Sequence, residues 1–218
     1  MTNADSAPRV LIAGAGGGVG LACAEAFAAH GANLVLTDCD GIALSAAAKR
    51  LGAVSRHCDA IGSCSVEILA EELRSLLPAI DVVINAAGRG YVRTLAMARV
   101  TQAMLPLLRK GSGRRMVFNI PSAGRFPDSD GMFPYASSLD GFQRLSAVLK
   151  EQTRGSGIDV VTVGPELVRG QVSSSKPADR AAAPLVVDSR RTAERILELT
   201  LAARPEWSGA ARPAARHG

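Results

Sequence analysis

Short apolar runs alternate along this chain with longer stretches of helical periodicity. Compact runs at residues 10–13, 33–37, 81–85, 115–120 and 158–163 read as strands, with 54–57 a shorter candidate. Between them, residues 21–29, 42–51, 66–77, 95–109, 135–153 and 190–203 carry the spacing of helices. In the fifth of these, Leu139, Phe142, Leu145 and Leu149 fall along one side. Strands that alternate with helices predict an α/β fold. Its centre is a doubly wound parallel sheet covered on both faces, a three-layer αβα arrangement. Ligands in such folds bind beyond the carboxyl ends of the strands, where the strand order reverses. No repeat or linker divides the chain, so residues 1–218 are expected to form a single domain with flexible ends at 1–8 and 208–218. Residues 171–184, polar and rich in Ser, Ala and Pro, are a candidate mobile loop near the site.

Composition narrows the class. The chain is 47% hydrophobic and 21% charged, the balance of a soluble globular protein. No run approaches the roughly 20 apolar residues that span a bilayer, so no membrane role is expected. Residues 1–8 lack the basic and apolar regions of a signal peptide, and a cytoplasmic location is the expectation. The net charge of +5 is spread along the chain and aromatics are only 4%, so a nucleic-acid partner is not expected. Cys23, Cys39, Cys58 and Cys64 form no CxxC pair and have no histidine at ligand spacing. They read as ordinary thiols, with no metal site.

The first candidate chemistry follows the first strand. Gly14, Gly16, Gly17, Gly18 and Gly20 crowd the turn into the first helix, with Val19 among them. Such a turn brings backbone close to a diphosphate, and the helix N-terminus points N–H groups at it. Asp38 closes the second strand, 24 residues after Gly14. A carboxylate there accepts from ribose hydroxyls and repels a 2′-phosphate, which favours NAD(H) over NADP(H). Asp40 is an alternative acid nearby.

With these residues the chain resembles the short-chain dehydrogenase/reductase family over roughly residues 8–200. Gly14-xxx-Gly18-x-Gly20 matches the family's phosphate turn, and the fold implied is Rossmann-like. Asp59, followed by Ala60, matches its adenine-contacting Asp. Asn85-Ala86-Ala87-Gly88 matches the motif at the sheet centre. Ile120-Pro121-Ser122 matches the stretch of the catalytic Ser, and Tyr135, 13 residues on, matches the catalytic Tyr. Pro165 matches the proline beside the nicotinamide. The resemblance therefore implies catalytic roles for Ser122 and Tyr135. It implies cofactor contacts at Gly14, Gly18, Val19, Gly20, Asp38, Asp59, Ala60, Asn85, Ala87, Gly88 and Pro165. It also implies a homodimer or homotetramer, formed through helices 95–109 and 135–153.

The chain also departs from its family. The lysine of Tyr-xxx-Lys is Leu139, Pro-Gly reads Pro165-Glu166, and the threonine soon after is Gly170. Residues 88–122 are shorter than usual. Counting back from Pro106, the place of the family's relay Asn holds Arg93. Free Tyr titrates near pH ~10 and is brought down by a nearby cation, which Leu139 does not supply. A neutral Tyr135 can still donate a proton to a carbonyl. The expected function is thus an NAD(H)-dependent oxidoreductase of atypical site acting on a small carbonyl or alcohol, biased to reduction. The alternatives are a lyase or isomerase on the same scaffold, or a catalytically silent NAD(H)-binding partner or sensor. Arg93, Arg125 and Arg144 are candidate substitutes for the missing cation, Arg144 being poorly placed.

Overall fold

A computed structural model describes residues 7–87, 92–121, 129–163 and 188–207; for 92 and 129–139 it describes the backbone alone. Among the described residues six strands and six helices alternate: β1 (Arg9–Ala13), α1 (Gly18–Ala29), β2 (Asn33–Asp38), α2 (Gly41–Leu51), β3 (Val54–His57), α3 (Ser63–Leu76), β4 (Val82–Asn85), α4 (Val92–Lys110), β5 (Arg115–Asn119), α5 (Ser129–Gln152), β6 (Ile158–Thr162) and α6 (Ser189–Ala203). A 3-10 turn, Pro205–Trp207, follows. The strands are all parallel and lie in the order β3-β2-β1-β4-β5-β6. The order reverses between β1 and β4, so a crevice opens there at the strands' carboxyl ends.

Successive strand residues point to opposite faces, and the strands are apolar on both. Leu11, Val35, Val83, Val117 and Val160 face α3, α4 and α5, packing with Leu69, Leu73, Met104, Leu107, Phe142 and Leu149. Val10, Ile12, Leu36, Ile84 and Phe118 face α1, α2 and α6, packing with Phe27, Leu44, Ile196 and Trp207. This is the expected three-layer arrangement.

Polar residues fix the ends of these elements. Asp40 caps α2 by accepting from Ile42 N and Ala43 N at 3.1 and 3.0 Å, and Asp188 caps α6 in the same way. Asp40, a candidate ribose partner in the sequence, is therefore committed to its helix. At the amino end of the sheet, Asp81 is 2% exposed. It accepts from Arg9 Nε and from Arg9 N, both at 2.9 Å, and so locks β1 to the start of β4.

Strand limits follow the sequence expectation within a residue. Four helices start three or more residues earlier than expected: α1 at Gly18, α3 at Ser63, α4 at Val92 and α5 at Ser129. Their first turns are polar, or contain Gly18 and Gly20 in α1 and Gly131 and Pro134 in α5, and so lack the apolar spacing that marks a helix.

Candidate active site

The glycine turn is shaped by close backbone approaches. Gly14 has φ +88°, and a Cβ there would lie 2.6 Å from the carbonyl carbon of Ala86. A Cβ on Gly20 would lie 1.9 Å from the Gly14 carbonyl oxygen. The sequence from β1 into α1 can pack against the end of β4 only with glycine at both positions. Gly17 and Gly18, in contrast, have nothing within 4 Å of a Cβ and face open space.

That space is a cleft of about 590 Å³. Gly14, Gly16–Val19, Asp38, Asp59, Ala60, Ala87 and Arg93 all line it. The helix α1 points into it from the glycine turn. The N-cap of α1 is Gly17, without a side-chain cap, and its first turn holds no acidic residue. Its leading N–H groups thus face the cleft without a carboxylate of the helix's own, the arrangement that suits an anionic ligand.

The opposite wall is acidic. Asp38 Oδ2 accepts from Gly16 N at 2.9 Å, and Oδ1 accepts from Asp40 N at 3.0 Å. The second strand's carboxylate is thereby held against the glycine turn, at the cleft mouth. Asp59 also lines this end, and its Oδ1 accepts from Ile61 N at 2.9 Å. Cys39 and Cys58 stand beside these acids. Burial, with Asp38 next, raises the Cys39 thiol above its ordinary range, and burial raises Cys58. Among the described residues no group of His, Cys, Asp and Glu could hold a metal ion.

Beneath the cleft runs a buried polar chain of which the sequence marked only Asn85. Asn85 Nδ2 donates to Thr101 Oγ1 at 2.9 Å and to Asn119 Oδ1 at 2.8 Å, and Asn119 Nδ2 donates to Ser146 Oγ at 3.4 Å. The chain ties β4 and β5 to α4 and α5. Asn85 is 3% exposed and does not line the cleft, so it positions the strand ends from below. Arg93, in the first turn of α4, does line the cleft. Its Nη1 donates to the Ile120 carbonyl at 3.0 Å, two residues before Ser122.

A model of the short chain dehydrogenase family matches residues 8–181. The chain belongs to this family. D-threitol dehydrogenase of Mycolicibacterium smegmatis is 28% identical over 182 residues, covering 72% of this chain and 69% of that protein. Meso-2,3-butanediol dehydrogenase of Serratia marcescens is 29% identical over 192 residues, covering 78% and 75%. In fold, the chain resembles a short-chain dehydrogenase/reductase from Burkholderia phymatum solved with NAD (TM-score 0.71, 21% identity, 91% and 87% covered). It resembles equally a metagenomic short-chain oxidoreductase solved with NADP (TM-score 0.71, 24% identity, 88% and 90% covered). The fold is Rossmann-like, the class is oxidoreductase, and the family's cofactor is a nicotinamide dinucleotide.

Of the residues expected to hold the adenosine half of the cofactor, Gly14, Gly18, Val19, Asp38, Asp59 and Ala60 line one cleft, while fewer of the expected catalytic residues are among those described. Gly88, Ser122, Arg125, Pro165, Glu166 and Gly170 lie outside the described residues, as does segment 171–184. Tyr135 and Leu139 belong to α5, which carries them on its first three turns. Arg144 is exposed and pairs with Asp140 at 2.8 Å, so it is no substitute for the lysine. A larger open groove of about 840 Å³, lined by Arg114, Lys150, Gly157 and Ala203 among others, lies at the amino ends of β5 and β6. That is the wrong end of the sheet for the family's chemistry.

Proposed function

We propose that this short-chain dehydrogenase is an NAD(H)-dependent oxidoreductase of a small carbonyl or alcohol substrate, biased toward carbonyl reduction. The observation that carries the cofactor preference is the Asp38 carboxylate held on Gly16 N at the cleft mouth, with Asp59 on the same wall. A 2′-phosphate would meet negative charge there. No arginine or lysine other than Arg93 is found among the described lining residues.

In this reading Gly14, Gly18, Val19 and Gly20 receive the diphosphate. Asp38 binds the ribose, Asp59 and Ala60 flank the adenine, and Asn85, Ala87, Gly88 and Pro165 support the remainder. The bound nicotinamide supplies or accepts a hydride. Ser122 hydrogen-bonds the substrate oxygen and Tyr135 donates a proton to it. With Leu139 where a lysine would lower its pKa, Tyr135 is a competent acid and a poor base at neutral pH. The relatives named for threitol and butanediol support a small substrate.

The test is a panel of small carbonyls followed by NADH absorbance, with the matching alcohols and NAD+ run in reverse. Reduction should be slow yet exceed oxidation. Leu139→Lys should raise oxidation more than reduction, by about tenfold or more. Equal rates in both directions, or no gain in Leu139→Lys with NADH still bound, would overturn the reading. NADH binding without any turnover would favour the silent nucleotide-binding alternative. We also propose a homo-oligomer built on α4 and α5. Leu95 and Val148 are exposed on them at 43% and 51%.

A further inference from the structure

We infer that His57 is a positioning residue for cofactor choice: its imidazole holds the Cys39 carbonyl, and through that turn the Asp38 carboxylate at the cleft mouth. The inference rests on the NAD(H) preference proposed above and names the side chain that keeps the selecting acid in place.

Residues 38–40 join β2 to α2, and all three line the cleft. Each of their carbonyls has a partner. Asp38 O accepts from Cys58 N at 3.1 Å, and Asp40 O accepts from Leu44 N at 2.9 Å. The carbonyl between them, that of Cys39, lies 3.0 Å from His57 Nε2. A carbonyl only accepts, so Nε2 carries the proton and donates. The bonds at Asp38 O, at Asp40 O and at the Asp38 carboxylate come from backbone N–H groups. The bond at Cys39 O comes from a side chain, so a substitution removes it cleanly.

The sheet puts the imidazole there. His57 stands opposite Asp38 in the register of β2 with β3, so the two side chains leave the sheet on the same face. The ring lies against the start of α2, where a Cβ on Gly41 would be 3.6 Å from its Cδ2. The Asp38 carboxylate has two fixed supports, Gly16 N on Oδ2 at 2.9 Å and Asp40 N on Oδ1 at 3.0 Å. The second of these rides on the turn that His57 grips. With the Cys39 carbonyl released, the Asp40 N–H moves with the turn and the carboxylate keeps one support. A ribose diol needs that carboxylate in place as its acceptor, and a ribose with a 2′-phosphate makes no such bond. Losing the His57 bond therefore weakens NADH and spares NADPH, whereas a general loosening of the cleft weakens both.

Fluorescence titration with NADH and with NADPH, on wild type, His57→Ala, His57→Asn and His57→Gln, tests this. The amide nitrogen of Gln reaches the place of Nε2, and that of Asn stops at the place of Nδ1. His57→Ala and His57→Asn should each bind NADH about fivefold weaker, the loss of one hydrogen bond, with NADPH affinity within about twofold of wild type. His57→Gln should match wild type for both cofactors. Iodoacetamide labelling of the ligand-free proteins gives a second readout. Burial, with Asp38 next, raises the Cys39 thiol in the closed turn, so release should speed its reaction. Cys39 should react at least about threefold faster in His57→Ala and His57→Asn and at the wild-type rate in His57→Gln, with the exposed Cys64 unchanged throughout. NADH affinity and Cys39 labelling at wild-type levels in His57→Ala would overturn the inference. So would a loss of NADH affinity that His57→Gln shares, or an equal loss for NADH and NADPH. If wild type shows no preference for NADH, the cofactor reading above falls, and the Cys39 rates still decide whether His57 holds the turn. If His57→Ala loses its cooperative melt, the comparison of Asn with Gln decides it.

Discussion

At the residue scale, the glycine turn shapes the cleft and one thiol, Cys39, reports on it. A methyl group on Gly20 would collide with the Gly14 carbonyl at 1.9 Å, so the turn must open to admit it. Gly20→Ala should therefore lose most NADH binding and melt at a lower temperature, as read by fluorescence titration and calorimetry. Gly17→Ala, with open space around its Cβ, should melt like wild type. Reactivity toward iodoacetamide should rank the four cysteines by environment. Cys64 is exposed and should react first, and Cys39 is exposed but shifted upward by burial and Asp38. Burial pushes Cys23 up to about 12, so at pH 8 it carries almost no thiolate and should stay unmodified in the folded protein. Saturating NADH should protect Cys39, which lines the cleft, and leave Cys64 unchanged. Mass spectrometry after timed labelling reads each outcome. Glycine crowding and a strand-end aspartate have few explanations, so Gly14, Gly20 and Asp38 were legible in the sequence. The use of Asp40 as a helix cap was not, because a carboxylate two residues past a strand fits either role. Arg93 could be counted to its position, but its tether to Ile120 O depends on how α4 packs across β5.

At the element scale, the strands were legible and the first turns of α1, α3, α4 and α5 were not. A strand buried on both faces reads as a near-continuous apolar run, and 82–84 or 116–118 declare themselves by that. Of the chain Thr101–Asn85–Asn119–Ser146, only Asn85 was marked in the sequence, by its motif. Buried polar residues spaced by 16, 34 and 27 positions have no periodicity, and only the pairing of β4 with β5 brings them together. The lock between β1 and β4 was equally hidden. Asp81→Ala removes a buried acceptor of three hydrogen bonds from Arg9. Because Arg9 is partly exposed, the loss should be about 3 kcal/mol, toward the lower end for breaking a buried pair. For a domain of this size that is a fall of roughly 6–12 °C in Tm. NADH affinity should be retained, since Asp81 lies at the opposite end of the sheet from the cleft.

At the scale of the whole molecule, the sheet order and the asymmetry of the cleft give one picture. The reversal between β1 and β4 sets the crevice, and α1 aims its uncapped end there while Asp38 closes one rim. No described helix is long and apolar enough to cross a membrane. The proposed oligomer predicts that a double variant, Leu95→Glu with Val148→Lys, elutes smaller than wild type with its far-UV circular dichroism unchanged. Identical elution would remove those faces from the interface. The central claim is that the intact adenosine end selects NADH even though the catalytic end departs from the family. The direct measurement is a fluorescence titration of wild type and Asp38→Ser with NADH and NADPH. Wild type should bind NADH saturably and at least about tenfold tighter than NADPH, and Asp38→Ser should lose most of that preference, the loss expected for one charge-assisted hydrogen-bond partner. No saturable NADH binding, or NADPH bound as tightly by wild type, would contradict the account.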